Sequence, residues 1–271
     1  MAPIQWRKAD AWLLAAMPIL LMLPSLASAQ VRELGKAEGG VTFGTDRFSV
    51  TVRPSGTISN VKSGQTLLFP FISLYTTPHS TEDGAGVRAC QTETPGLGDR
   101  APEMRVVLAE GKATVEISRE CSHPKVYHNT PIWSLKETVV IEPSGRLSLT
   151  YDCLFHRITR WSGLASVCAG AMPAFKEQTF RALIPGGYLS GLIPAGLPNR
   201  NDTVGLWDLT LQSTAGPVHL TFDNPGRVTL DDWTQYLAIS TALPNLPYGG
   251  LYTYRGQHER FGFTIQLPVT P

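Results

Sequence analysis

The stretch "GRLSLTYDCLFHR", Gly145 to Arg157, decides the fold. Leu147, Leu149, Tyr151, Cys153 and Phe155 fall on one side of a period-two pattern, while Ser148, Thr150, Asp152 and His156 fall on the other. That alternation is a β-strand with one face in a core and one in water. The strand leaves a Pro-Ser-Gly turn, and the surrounding "VVIEPSGRLS", Val139 to Ser148, closely repeats "VTVRPSGTIS", Val50 to Ser59. Proline presets φ for the turn and the glycine takes the left-handed conformation that closes a hairpin, which suits a type I turn with a glycine bulge. A third such unit is "HLTFDNPGRVTL", where Asn224-Pro225-Gly226-Arg227 suits a type II turn. The likeness stops at each hairpin, so recurring turn chemistry explains it better than duplication.

Working outward, period-two alternation recurs in Thr114–Cys121, Leu206–Gln212, Val218–Phe222 and the closing Arg260–Leu267. The last of these puts Phe261, Phe263, Ile265 and Leu267 on one face, so the C-terminal segment is predicted to be a core strand. Only Ala174–Leu183 tolerates a helix, and its apolar residues make no 3.6-residue stripe. Gly 25 and Pro 21 punctuate the chain as turns between strands. The expectation is an all-β, large antiparallel sandwich with little helix, a single domain over residues 30–271. The apolar, Gly/Pro-rich segment Ile184–Leu197 is read as a crossover inside that domain.

Residues 1–29 have the form of a secretory signal peptide: basic Arg7-Lys8, an apolar run from Ala11 to Leu26, and Ala27-Ser28-Ala29 at the expected cleavage point. No cysteine follows to take a lipid anchor, and no later run approaches the ~20 apolar residues that span a bilayer. A secreted or periplasmic location is expected. The formal charge of +1, with no basic block beyond Arg7-Lys8, gives nucleic acid no electrostatic footing. Export favours disulfides. Cys90, Cys121, Cys153 and Cys168 allow three pairings; the preferred one joins Cys90 to Cys121 and Cys153 to Cys168, each closing a local loop. The second loop spans about 15 residues, worth ~3 kcal/mol in the chain-entropy account. Cys121-Ser-His123 is the one tight Cys/His pair, too little for zinc, so no metal site is expected.

Three clusters carry candidate chemistry. The loop "HPKVYHNTPIW", His123 to Trp133, offers flat rings in Tyr127 and Trp133 beside polar groups such as His128, which is what a pyranose needs: a stacking surface and fixed hydrogen-bonding groups. The plainer alternative tucks both rings into the core. On the long strand, Asp152 and His156 share a face roughly 13 Å apart, close enough to line one groove, with Arg157, Arg160 and Trp161 following. The third cluster, "YTYRGQHERFGF", holds Tyr252, Tyr254, Arg255, His258, Glu259 and Arg260. Asp231-Asp232-Trp233 lacks the spacing of a calcium loop. With no G-x-S-x-G elbow, phosphate-binding glycine loop or dinucleotide fingerprint, no cofactor is expected.

The segments "DRFSVTVRPSGTISNVKSGQTLLF", "KETVVIEPSGRLSLTYDC" and the closing series from "GLWDLTLQSTAGPVHLTFDNPGRVTLDDW" to "RFGFTIQLP" together resemble the galactose mutarotase-like supersandwich proteins. The resemblance implies a carbohydrate ligand. For an aldose epimerase of this type it further implies a histidine acid, His128 or His156, and a late glutamate base, Glu259. The histidine-centred motif of active epimerases is not present. The leading expectation is therefore a secreted glycan-binding sandwich with Tyr127, Trp133 and Trp161 as platforms and His128, Asp152, His156 and Arg157 as polar contacts. The alternatives are a sugar epimerase or polysaccharide lyase, and a structural or adhesion domain of the cell envelope.

Overall fold

The structure is a computed structural model, which describes residues 30–37, 39–87, 102–197, 205–224, 228–232, 236–242 and 251–269. The expected signal peptide, Cys90 and the Pro225-Gly226 turn lie outside these residues. Eighteen strands occupy most of the described chain, in two nine-stranded antiparallel sheets.

The first sheet holds β1 (Arg32–Ala37), β2 (Gly40–Gly44), β3 (Phe48–Val52), β4 (Ile58–Ser63) and β5 (Thr66–Pro78) in sequence. It continues through β10 (Thr159–Ala171), β16 (Tyr236–Ala242) and β15 (Val228–Asp232), with β17 (Leu251–Thr253) pairing the start of β10. The second sheet runs in the order β12 (Gly187–Leu192), β11 (Thr179–Ile184), β13 (Asp208–Ser213), β14 (Gly216–Phe222), β18 (His258–Gln266), then β9 (Arg146–Phe155), β8 (Trp133–Ile141), β7 (Lys112–Cys121) and β6 (Glu103–Ala109). The C-terminal strand is thus central, flanked by β14 and β9.

The strand that decides the fold keeps its pattern. Leu147, Leu149, Tyr151, Cys153 and Phe155 are buried between the sheets, and Ser148, Thr150 and Asp152 face outward. Its turn closes as expected: Gly145 N–H donates to Glu142 O at 3.0 Å, and Gly145 has φ +80°. The equivalent turn at Gly56, φ +91°, joins β3 to β4 in the first sheet, so the two Pro-Ser-Gly hairpins serve different layers.

Two local expectations change. The helix-tolerant stretch gives only a four-residue α1, Met172–Phe175, before β11 begins at Thr179. Without a 3.6-residue stripe nothing holds a longer helix, and Phe180 instead enters the core from a strand. Ile184–Leu197 is a hairpin arm and not a crossover, since β12 pairs β11 from Thr179↔Leu192 to Ile184↔Gly187. Gly186, at φ +94°, takes the left-handed conformation in the turn between the two strands.

Among the described residues no disulfide is formed. Cys121, Cys153 and Cys168 are free, buried thiols. Cys153 lies on β9 and Cys168 on β10, in opposite sheets. Both thiols are enclosed in the core, where burial raises them and disfavours the thiolate that disulfide formation requires. A hydrogen bond joins the layers nearby instead, Tyr151 Oη to Ser166 Oγ at 3.0 Å, fully buried.

Candidate functional site

The outward face of β7, β8, β9 and β18 is built in rows. Register places Ser118, Lys136, Asp152 and Arg260 side by side, and Glu120, Ser134, Leu154 and His258 in the next row. Within these rows Asp152 Oδ1 pairs with His258 Nε2. Ser134 Oγ lies 2.7 Å from His156 Nε2. Lys136 Nζ sits 2.9 Å from Glu116 Oε1, and this hydrogen bond and charge hold the Glu116 carboxyl below its ordinary range.

Two grooves follow this face. One, of about 470 Å³, is lined by Ser134, Lys136, Asp152, Leu154 and His258 among others. A second, of about 720 Å³, extends past the strand ends and is lined by Tyr127, His156, Arg157, Ile158 and Arg255. Glu120 and Leu154 line both, so the two adjoin.

The loop carrying Tyr127 is held by hydrogen bonds, without a disulfide. Tyr127 N–H donates to Thr81 Oγ1 at 3.2 Å, Thr81 N–H to Lys125 O at 2.9 Å, and Ile132 N–H to Cys121 O at 2.8 Å. The Tyr127 hydroxyl donates to Ile158 O, and the Arg157 guanidinium lies 5.6 Å from the ring centroid. Tyr127 and His128 both have φ of +52°, in the left-handed region uncommon for residues with side chains.

The structure therefore brings together Tyr127, Asp152, His156 and Arg157 from the sequence-expected set. His128 is exposed and lines neither groove. Trp133 and Trp161 cannot be platforms, a correction to the sequence reading: their exposures are 0% and 2%. Trp133 begins β8 with inward parity and stacks on Phe155, centroids 5.8 Å apart, while Trp161 meets both rings edge-on and donates to Thr253 Oγ1 at 2.9 Å. Glu259 also faces inward, at 9% exposure, where it accepts from Gln257 Nε2 at 2.9 Å. It is on the opposite face of the sheet from His156, so the proposed histidine–glutamate pair does not meet.

Sequence reasoning missed Ser134 and Lys136, and it missed a buried carboxyl. Glu137, opposite Tyr151 in register, has 0% exposure, and neither carboxyl oxygen has a hydrogen-bond partner. Burial pushes it up to about 8, against the opposing pull of Arg119. The signal was present in parity: Trp133, Leu135, Glu137, Val139 and Ile141 are the inward positions of β8. Among the described residues, no group of three or more His, Cys, Asp or Glu could hold a metal ion, and no helix is long and apolar enough to cross a membrane.

No protein-family model and no curated protein sequence matches the chain. Solved structures do. Galactose 1-epimerase from Lactobacillus acidophilus superposes with a TM-score of 0.53 at 9% identity, over 88% of this chain and 98% of that one. A GalM/aldose epimerase homologue from C. elegans gives 0.50 at 10% identity, over 81% and 95%. The GH36 α-galactosidase AgaB from Geobacillus stearothermophilus gives 0.51 at 9% identity, over 86% of this chain and 40% of that larger one. At such identities the likeness is one of fold. Two nine-stranded antiparallel sheets, covering nearly the whole length of an epimerase at its own scale, give this chain the galactose mutarotase-like fold.

Proposed function

We propose that the protein is an exported carbohydrate-binding sandwich that holds a glycan along the outward face of its second sheet. The observation that carries this reading is the trough made by these two adjoining grooves, over Asp152, Leu154, His156 and Tyr127. Its combined span suits a short oligosaccharide, and its lining alternates apolar surface with oriented polar groups, as sugar sites require. Leu154, at 41% exposure, and Ile158, at 55%, supply apolar surface for ring faces. Ser134 and Asp152 fix the orientations of His156 and His258, lowering the ordering cost of binding. Export rests on the form of residues 1–29, and sequencing the N-terminus of the protein recovered outside the cytoplasm tests it.

A sugar epimerase or polysaccharide lyase is the second reading, supported by two oriented imidazoles, His156 and His258, on one groove-lined face. In that version the imidazoles exchange the protons and Glu259 takes no part. A mutarotation or unsaturated-product assay on any glycan that binds separates the two: turnover abolished by His258→Ala supports the enzyme, and binding without turnover supports the lectin-like role.

A further inference from the structure

The two halves of the trough differ in how their charges are used. In the smaller groove two of the polar side chains are engaged within the protein, Lys136 with Glu116 at 2.9 Å and His258 with Asp152. In the larger groove, Arg157 and Arg255 are exposed, and among the described residues neither has a carboxylate within ion-pair distance. His156, next to Arg157 in sequence, lines the same groove, its Nε2 2.7 Å from Ser134 Oγ. One acid, Glu120, lines this groove, and it also borders the smaller one. Two permanent cations over an apolar floor of Leu154, Ile158 and the Tyr127 ring make a composite surface: the floor suits a sugar ring, and the guanidinium forks suit an oxyanion attached to it.

We propose that the larger groove selects an acidic saccharide, with the sugar's carboxylate or sulfate oxygens bound between Arg157 and Arg255. This rests on the glycan-binding reading and narrows its ligand class. A free anion would leave the apolar floor unused, and a neutral sugar would leave both guanidinium groups unmatched. Arg157 is also partly pre-placed, since its guanidinium lies 5.6 Å from the centroid of the Tyr127 ring, which is itself tied to Ile158 O.

The test is calorimetric titration of the protein with three oligosaccharides: an oligogalacturonide, its methyl-esterified neutral form, and a sulfated galactan oligomer of equal length. Esterification removes the charge while keeping the ring, so the comparison isolates the oxyanion. The expected result is that at least one charged oligomer binds about tenfold or more tightly than the neutral ester, the size of a charge-assisted contact. The tighter of the two charged oligomers identifies the source of the oxyanion. The preference should shrink as salt is raised and vanish in Arg157→Gln/Arg255→Gln. It should persist in Arg32→Gln, an exposed cation on the edge strand of the other sheet. Equal binding of charged and neutral oligomers, or a preference that survives loss of both arginines, overturns the acidic-ligand inference while leaving glycan binding intact. Binding of none of the three, together with silence on a broad glycan panel, overturns both.

Discussion

Ser134 Oγ lies 2.7 Å from His156 Nε2 on the outward face of the second sheet, while the neighbouring Trp133 ring is buried on the inward face against Phe155. One peptide unit of β8 thus separates a residue of the candidate site from a residue of the core. Their substitutions should therefore fail in different ways.

His156→Ala is expected to weaken glycan binding about tenfold, the scale of one well-placed hydrogen-bonding contact, with unfolding shifted by less than about 1 kcal/mol. Trp133→Ala should instead cost about 3–5 kcal/mol of stability by emptying a core site. Denaturant unfolding beside glycan titration reads both. Comparable losses of stability in the two variants would remove the distinction between site and core.

Glu137 predicts a pH slope. Its folded value is raised to about 8 from 4.5, so the unfolded chain ionises first and unfolding releases a proton between those values. The stability contributed by the neutral carboxyl is complete below about pH 4.5 and is lost as pH rises to about 8. Each unit of separation is worth about 1.36 kcal/mol, so the window carries several kcal/mol. Glu137→Gln should flatten the profile and be more stable than the parent at pH 8.5. Parallel stability curves for the two proteins from pH 5 to 8.5 would mean that Glu137 does not titrate as a buried acid.

The cysteines predict thiol counts. With no reductant present, the unfolded protein should react with a thiol reagent at Cys121, Cys153 and Cys168 at least. In the folded protein Cys153 and Cys168 should be slow, because burial excludes the reagent and raises both thiols. Mass spectrometry of the alkylated protein finding Cys153 joined to Cys168 would refute the free-thiol state of both residues.

The hairpin before β9 predicts a glycine requirement. A methyl at Gly145 would meet Val269 Cγ2 at 2.3 Å, and its φ of +80° disfavours any L side chain. Gly145→Ala should cost about 1–2 kcal/mol for the left-handed conformation, plus the repacking of Val269. Gly64, at φ +54° with nothing within 4 Å, carries only the first of these, so Gly64→Ala should be milder. Equal costs would show that the Val269 contact is immaterial.

The all-β class, the face alternation of β9 and the proline-glycine hairpins were legible because each depends on residues close in sequence. Sheet order was not. Asp152 meets His258 because β18 inserts between β14 and β9, a pairing 106 residues apart that no local pattern specifies. Trp133 shows a different limit: the loop pattern runs into it, yet its spacing with Leu135, Val139 and Ile141 gives it the inward parity of β8. Glu137 sits in the same series, where an acidic residue among apolar inward positions breaks the pattern. The disulfide reading draws on compartment and loop length, and neither contains the sheet order that puts Cys153 and Cys168 in different layers.

The most direct test of the central claim is amide and side-chain NMR of the protein titrated with a glycan panel. The account predicts that a binding glycan perturbs Tyr127, Ser134, Asp152, Leu154, His156 and His258 as one saturable set, with the first-sheet strands β2 to β4 unchanged. No response to any glycan, or shifts centred on the first sheet, would contradict it.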